Sequence, residues 1–168
     1  VAAGESGEII VRGYGIMKGY WHDERQTRDS MTEDGFFRTG DIGVRDAAGN
    51  IRIVDRKKDM FICNGFNAYP AEIEDLLLRM GGISAVSVVG VPDADRGEVP
   101  VAYVVPAAGA GVDPMSVIGW AKENLASYKV PRRVFIRDAL PLNGNGKVMK
   151  DVLRREAIGE AVGQHATG

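Results

Sequence analysis

Between Pro70 and Gly82 the sequence specifies one short helix, and that helix sets the class of the domain it opens. Ile73, Leu76, Leu77 and Met80 recur at the three-to-four spacing of a single apolar face; Pro70 suits a first helical turn, and Gly81-Gly82 stops the pattern. Two valine-rich runs, residues 86–91 and 99–105, come next across the polar segment 92–98, which is the pattern of an antiparallel strand pair. Asp113-Pro114 then caps a second helix reaching about residue 125, and residues 134–137 add a third strand. A Gly/Asn loop spans residues 141–146, and a last helix starts near Lys150. A small three-stranded sheet covered by helices is the expected result, an α+β arrangement.

Upstream of the helix the punctuation is that of strands. Residues 8–12 form a short apolar strand, and residues 41–45 and 51–55 flank a Gly49-Asn50 turn as a hairpin. A second hairpin is expected from residues 60–63 and 66–69 around Asn64-Gly65. The charged run Asp55-Arg56-Lys57-Lys58-Asp59 interrupts the apolar strands, so the domain boundary is expected there. The reading is a small β-rich subdomain over residues 1–57 and an α+β domain over residues 58–168. Tyr20, Trp21, Phe36 and Phe37 are expected to pack the first of these.

Charge narrows the partners. With 21 Lys plus Arg against 23 Asp plus Glu the chain is near neutral, which argues against a nucleic-acid binder. Any anionic ligand has to be held locally. A single cysteine, Cys63, and two isolated histidines, His22 and His165, provide neither a disulfide framework nor metal-ligand spacing, so no protein-bound metal is expected. A reducing, cytoplasmic setting is the expectation. No apolar run approaches the roughly 20 residues of a membrane helix, so no transmembrane segment is expected. The opening at Val1, in place of Met, suggests the C-terminal part of a longer polypeptide.

Two phosphate-loop lookalikes fail on spacing. Gly13-Tyr14-Gly15-Ile16-Met17-Lys18-Gly19 has one residue too many before its last glycine and no helix pattern after it. Gly146-Lys147 resembles the end of a nucleotide-triphosphate loop, but Pro141 and Val148 stand where a glycine and a Ser/Thr belong. What remains is Lys147 on a loop of small residues, and Asp41 beside Gly40, a carboxylate suited to accepting two hydrogen bonds from neighbouring hydroxyls.

Taken in order, five segments resemble the distal part of the adenylate-forming superfamily, which includes acyl-CoA synthetases, luciferase and peptide-synthetase adenylation domains. They are Gly7-Glu8-Ile9 through Gly19-Tyr20-Trp21 with Arg38-Thr39-Gly40-Asp41; Asp55-Arg56-Lys57-Lys58-Asp59; residues 65–74 ending Pro-Ala-Glu-Ile-Glu; Tyr128-Lys129-Val130-Pro131; and Leu140-Pro141 through Gly146-Lys147-Val148. The resemblance implies that Asp41 takes the ribose hydroxyls of ATP or the acyl-adenylate, with Arg56 helping on the ribose and phosphate side. It implies that Lys147 bridges the substrate carboxylate and the α-phosphate. That role is charge neutralisation and positioning, for which a point charge on a long stem is suited.

The resemblance further implies a mobile C-terminal domain that swings about a hinge at Lys58. The swing withdraws Lys147 and presents the hairpin whose Gly65 leaves room for a pantetheine thiol. Tyr128 and Arg132 match positions that contact the CoA nucleotide in some relatives. The expected substrates are a fatty or aromatic carboxylic acid, ATP and coenzyme A. Mg2+ is expected to accompany the pyrophosphate, and an upstream N-terminal domain to supply the acyl pocket. The implied function is the end of an acid:CoA ligase, inactive by itself. An adenylation domain that loads a carrier protein and a noncatalytic interaction module are the alternatives. Glu98, Glu72 and Glu74 are expected to be structural, the last two favouring the positive end of their helix.

Overall fold

The computed structural model describes residues 1–165, with side chains through Glu160. It divides into two compact units, Val1–Lys58 and a second running from Asp59.

The first unit is an antiparallel three-stranded sheet in the order β1 (Ser6–Val11), β2 (Phe37–Arg45), β3 (Ile51–Arg56). Asp46 closes the β2–β3 turn by accepting the backbone N–H of Asn50 at 2.8 Å and its side-chain N–H at 2.9 Å, and Gly49 takes a left-handed φ of +89°. Helix α1 (Glu24–Asp29) is capped by Asp23, whose Oδ1 accepts the Gln26 N–H at 2.8 Å. It buries no residue, so it carries no apolar periodicity for a sequence reading to find. The expectation that Trp21 packs this unit is corrected: its side chain is 89% exposed. A tight bridge between Tyr20 and Asp23 puts Trp21 and His22 at the outer tip of a turn, where the two rings meet edge to face at 4.4 Å. Tyr20 is also exposed, whereas Phe36 and Phe37 are half-buried and Phe36 lies under the Arg12 guanidinium.

The second unit is built on a five-stranded sheet. Strands β4 (Phe61–Cys63) and β5 (Phe66–Ala68) form the hairpin, and β6 (Ile83–Asp93) and β7 (Gly97–Pro106) form the long antiparallel pair. Strand β8 (Arg133–Ile136) runs parallel to β7. The hairpin joins the sheet through one register pair, Cys63 with Gly97, so hairpin and sheet are continuous. The β6–β7 connection is tighter than the polar segment suggested. Asp93 pairs with Gly97, and its Oδ1 accepts the amides of Asp95 and Arg96, leaving only residues 94–96 outside the strands.

Helices α2 (Pro70–Leu78) and α4 (Lys150–His165) pack on β6, and α3 (Pro114–Asn124) packs on β8. Asp113 caps α3 by accepting the amides of Met115 and Ser116. The core gathers Phe61, Ile73, Leu77, Val88, Val101, Tyr103, Val117 and Leu153, all essentially without solvent contact. The Tyr103 hydroxyl donates to the Leu153 carbonyl at 2.8 Å, which satisfies the one polar atom that this ring brings into the core. Gly90 of β6 is the seat of the Phe61 ring; a Cβ there would stand 2.4 Å from Phe61 Cβ. Among the described residues, no helix is long and apolar enough to cross a membrane.

Candidate functional site

In the first unit, the register of β2 against β3 sets Asp41 directly opposite Arg56. Arg56 Nε meets Asp41 Oδ1 at 2.9 Å, with the carboxylate about a quarter exposed and the guanidinium more than half exposed. Around them the backbone is pinned. The Thr39 hydroxyl donates to the Ile9 carbonyl at 2.7 Å and accepts the Asp41 N–H at 3.1 Å, while the Lys57 N–H donates to the Gly40 carbonyl at 2.8 Å. Gly40 has φ +74°, a conformation that L side chains rarely adopt. This leaves an accessible carboxylate, one oxygen of which is already oriented by a cation. Beside it Glu8 is held by Lys57 at 2.8 Å and Arg38 at 3.1 Å, and the Lys57 hydrogen bond first of all keeps its carboxyl below the ordinary range. Lys58, exposed in a turn, is the last residue of this unit.

In the second unit, Asn64 and Gly65 turn the hairpin with φ of +52° and +81°, the pair of left-handed residues that a two-residue turn of this hand needs. Nothing lies within 4 Å of where a Gly65 Cβ would be, so the tip is open. The hairpin is held along β4 and into its turn: Asn64 N–H donates to the Arg96 carbonyl at 3.0 Å, and Ile62 N–H donates to Glu98 Oε2 at 3.2 Å. Arg154 of α4 grips the other oxygen of Glu98. Phe66, 59% exposed, stacks on Tyr128 with ring centroids 5.0 Å apart, and the Lys129 ammonium lies 5.5 Å from the Tyr128 centroid while bonding Glu72. The Tyr128 ring is therefore already flanked by one ring and one ammonium. Arg132 donates its backbone N–H to the Pro100 carbonyl at 2.8 Å and exposes its side chain. Glu74 accepts the Val88 N–H at 2.7 Å and the Lys150 ammonium at 2.8 Å, linking α2, β6 and α4.

Lys147 sits on a closed loop whose neck is a Leu142–Val148 bridge together with a Met149 N–H to Pro141 carbonyl bond of 2.8 Å. Gly146 turns the tip with φ +75°. The ammonium of Lys147 makes no hydrogen bond or ion pair with any described residue, whereas Lys57, Lys129 and Lys150 each hold a carboxylate. A cation presented on a braced loop and left unneutralised is available to an anion brought to it. Among the described residues there is no cluster of three or more His, Cys, Asp or Glu that could hold a metal ion.

The sequence and fold that carry these groups have counterparts in known proteins. The profile of the AMP-binding enzyme C-terminal domain matches residues 72–147, ending on the lysine. Over those residues the chain belongs to the AMP-binding enzyme C-terminal domain family. It is 50% identical over 150 residues to a 3-[(3aS,4S,7aS)-7a-methyl-1,5-dioxo-octahydro-1H-inden-4-yl]propanoyl:CoA ligase of Mycobacterium tuberculosis, covering 89% of this chain and 30% of that protein. It is 44% identical over 160 residues to a long-chain-fatty-acid–CoA ligase of Salmonella typhimurium, covering 95% of this chain and 28% of that one. The ATP-bound crystal structure of MatB from Rhodopseudomonas palustris superposes with a TM-score of 0.87 at 42% identity, over 93% of this chain and 31% of MatB. The chain thus spans about 30% of the length of these relatives.

The chain distributes its sequence-predicted residues over both units. Asp41, Arg56 and Lys58 lie in the first; Gly65, Tyr128, Arg132 and Lys147 lie in the second. Asp41 meets Arg56, and the Gly65 turn leads straight into the Phe66 that stacks on Tyr128. Sequence reasoning gives no role to Phe66 or Asn143. For Asn143 a signal exists: an Asn two residues before an Asn in a Gly-rich loop is disposed to accept backbone N–H bonds with its side chain.

Proposed function

We propose that this chain works as the C-terminal part of an ATP-dependent acid:CoA ligase, which forms acyl-AMP from a carboxylate and ATP and then transfers the acyl group to coenzyme A. In this proposal residues 1–57 complete the AMP-binding N-terminal domain and residues 58–168 form the mobile domain. The observation that carries it is the unneutralised Lys147 on its braced loop, in a chain half identical to a CoA ligase. Relatives named for acids as different as a fused-ring propanoate and a long-chain fatty acid match these same residues at 44–50% identity. The acid, fatty or aryl, is therefore selected outside this chain, in an N-terminal domain.

Each residue then has one task. Asp41 accepts the ribose hydroxyls, held in orientation by Arg56. Lys147 draws the attacking carboxylate and the α-phosphate together and neutralises charge as pyrophosphate departs, a contribution typically worth a hundredfold or more. Lys58 is the hinge between two arrangements. In the second arrangement the glycine at position 65 lets the pantetheine thiol pass the hairpin tip, and Phe66 with Tyr128 and the free guanidinium of Arg132 offer stacking and charge to the CoA nucleotide. Mg2+ enters with the nucleotide, on groups outside the described residues. The free thiol of Cys63, buried in the core, suits the cytoplasm.

The test is product analysis with the intact polypeptide, ATP and a panel of fatty and aryl acids. Acyl-CoA and AMP are expected. Acyl transfer only to a pantetheinylated carrier protein would replace the acceptor, and absence of any acid-dependent AMP would leave an interaction module. A Lys58→Pro variant is expected to slow thioester formation more than adenylation; normal rates of both would remove the hinge from this position.

A further inference from the structure

Asn143 does more in the lysine loop than its place in a Gly/Asn-rich stretch suggests. Its side-chain Oδ1 accepts the backbone N–H of Asn145 at 3.0 Å and that of Lys147 at 2.9 Å. Its own N–H donates to the Lys147 carbonyl at 2.9 Å, and its carbonyl accepts the Gly146 N–H at 2.9 Å. Both polar groups of the Lys147 backbone are thus bonded to one residue four positions earlier. An ordinary antiparallel bridge would return the Lys147 N–H to the Asn143 carbonyl, but that carbonyl is taken by Gly146, and the carboxamide replaces it.

The loop needs such a brace. Residues 142–147 are exposed, none of them belongs to the core, and the segment contains two glycines. Backbone freedom is greatest where glycine is frequent, and a lysine whose Cα wanders cannot present its ammonium at a fixed place. Gly144 and Gly146 have open space around them, so no packing contact restrains them.

We infer that Asn143 is a positioning residue for Lys147, its carboxamide fixing the lysine's backbone for the adenylation step. The inference rests on the role proposed above for Lys147, and its consequences are separable from that role. Loss of the carboxamide leaves the ammonium and its charge in place and removes only the restraint on where it points. The rate of adenylation should therefore fall, with little change in the KM for the acid.

In the intact polypeptide, Asn143→Ala is expected to lower the kcat of acid-dependent pyrophosphate exchange about tenfold, or about 1.4 kcal/mol in barrier. Thioester formation from supplied acyl-adenylate should keep the parental rate, which also shows that the variant is folded. Asn143→Ser, which retains a short neutral acceptor, is expected to recover most of the exchange, and Asn143→Leu to recover none. Parental exchange by Asn143→Ala, an equal fall in both half-reactions, or a serine variant no better than the leucine one would each overturn the inference. Lys147→Ala run alongside separates the two ideas. If it loses exchange while Asn143→Ala does not, the brace alone is refuted; if Lys147→Ala keeps exchange, the lysine's role falls and the positioning with it.

Discussion

Placing a methyl group on Gly90 tests how the β4–β5 hairpin is seated. The added Cβ would stand 2.4 Å from Phe61 Cβ and 2.5 Å from its Cγ. These are not the free end of a flexible chain. Phe61 Cβ is fixed to the β4 backbone, so the strand itself must retreat by about 1 Å to regain ordinary contact. That retreat pulls against the Cys63–Gly97 pair and the Ile62 N–H bond to Glu98. Overpacking of this kind costs about 1–3 kcal/mol, and the smaller backbone entropy of alanine in the unfolded chain returns about 0.4–1 kcal/mol. A net loss of about 1–2 kcal/mol results, a drop of about 5–10 °C in the midpoint of a domain this size.

The assay can watch the second unit alone. Trp120, whose indole N–H donates to the Leu76 carbonyl at 3.3 Å, lies in that unit, and a Trp21→Phe background removes the other tryptophan. Gly119→Ala in α3 serves as the opposite case. Nothing lies within 4 Å of its Cβ position, so it should stabilise by up to about 1 kcal/mol as glycine leaves a helix interior. A Gly90→Ala midpoint within about 2 °C of the parent would refute the seating of Phe61 on Gly90.

The charged and nucleophilic groups give two more outcomes. Burial pushes the Cys63 thiol up, so a disulfide reagent should label it only as the second unit unfolds; rapid labelling of the native chain at neutral pH would contradict its place in the core. Glu8, held below its ordinary value of about 4.5 chiefly by Lys57, leaves the unfolded chain binding more protons than the folded one in that window. Its contribution is present above that value and is lost as the pH falls through the folded pKa. Glu8→Gln should destabilise the first unit at neutral pH and flatten its acid limb, and pH–stability curves that stay parallel would count against the pairing.

Sequence alone carries the second unit further than the first, for a physical reason. Helix α2 declares itself because Ile73 and Leu77 are buried at helical spacing, and α3 because Asp113 caps it with two hydrogen bonds. Helix α1 buries nothing, and the 3-10 turn Ser127–Lys129 is too short to repeat, so neither leaves a period to read. The hairpin is legible from Asn64-Gly65, but its junction with the sheet depends on the single pair Cys63–Gly97, which no local pattern encodes. In the same way the resemblance singles out Asp41, Arg56 and Lys147, while the pairing of Asp41 with Arg56 depends on strand register and the bracing of Lys147 on a side chain folding back on its own loop. Trp21 is misplaced by sequence because a large aromatic reads as core unless the turn that exposes it is known.

Lys147→Ala in the intact polypeptide, assayed for each half-reaction separately, addresses the central claim most directly. Acid-dependent pyrophosphate exchange should fall a hundredfold or more while acyl transfer from supplied acyl-adenylate to coenzyme A is largely spared. Equal loss of both rates, or exchange that survives the substitution, would contradict the assignment of that ammonium to the adenylation step.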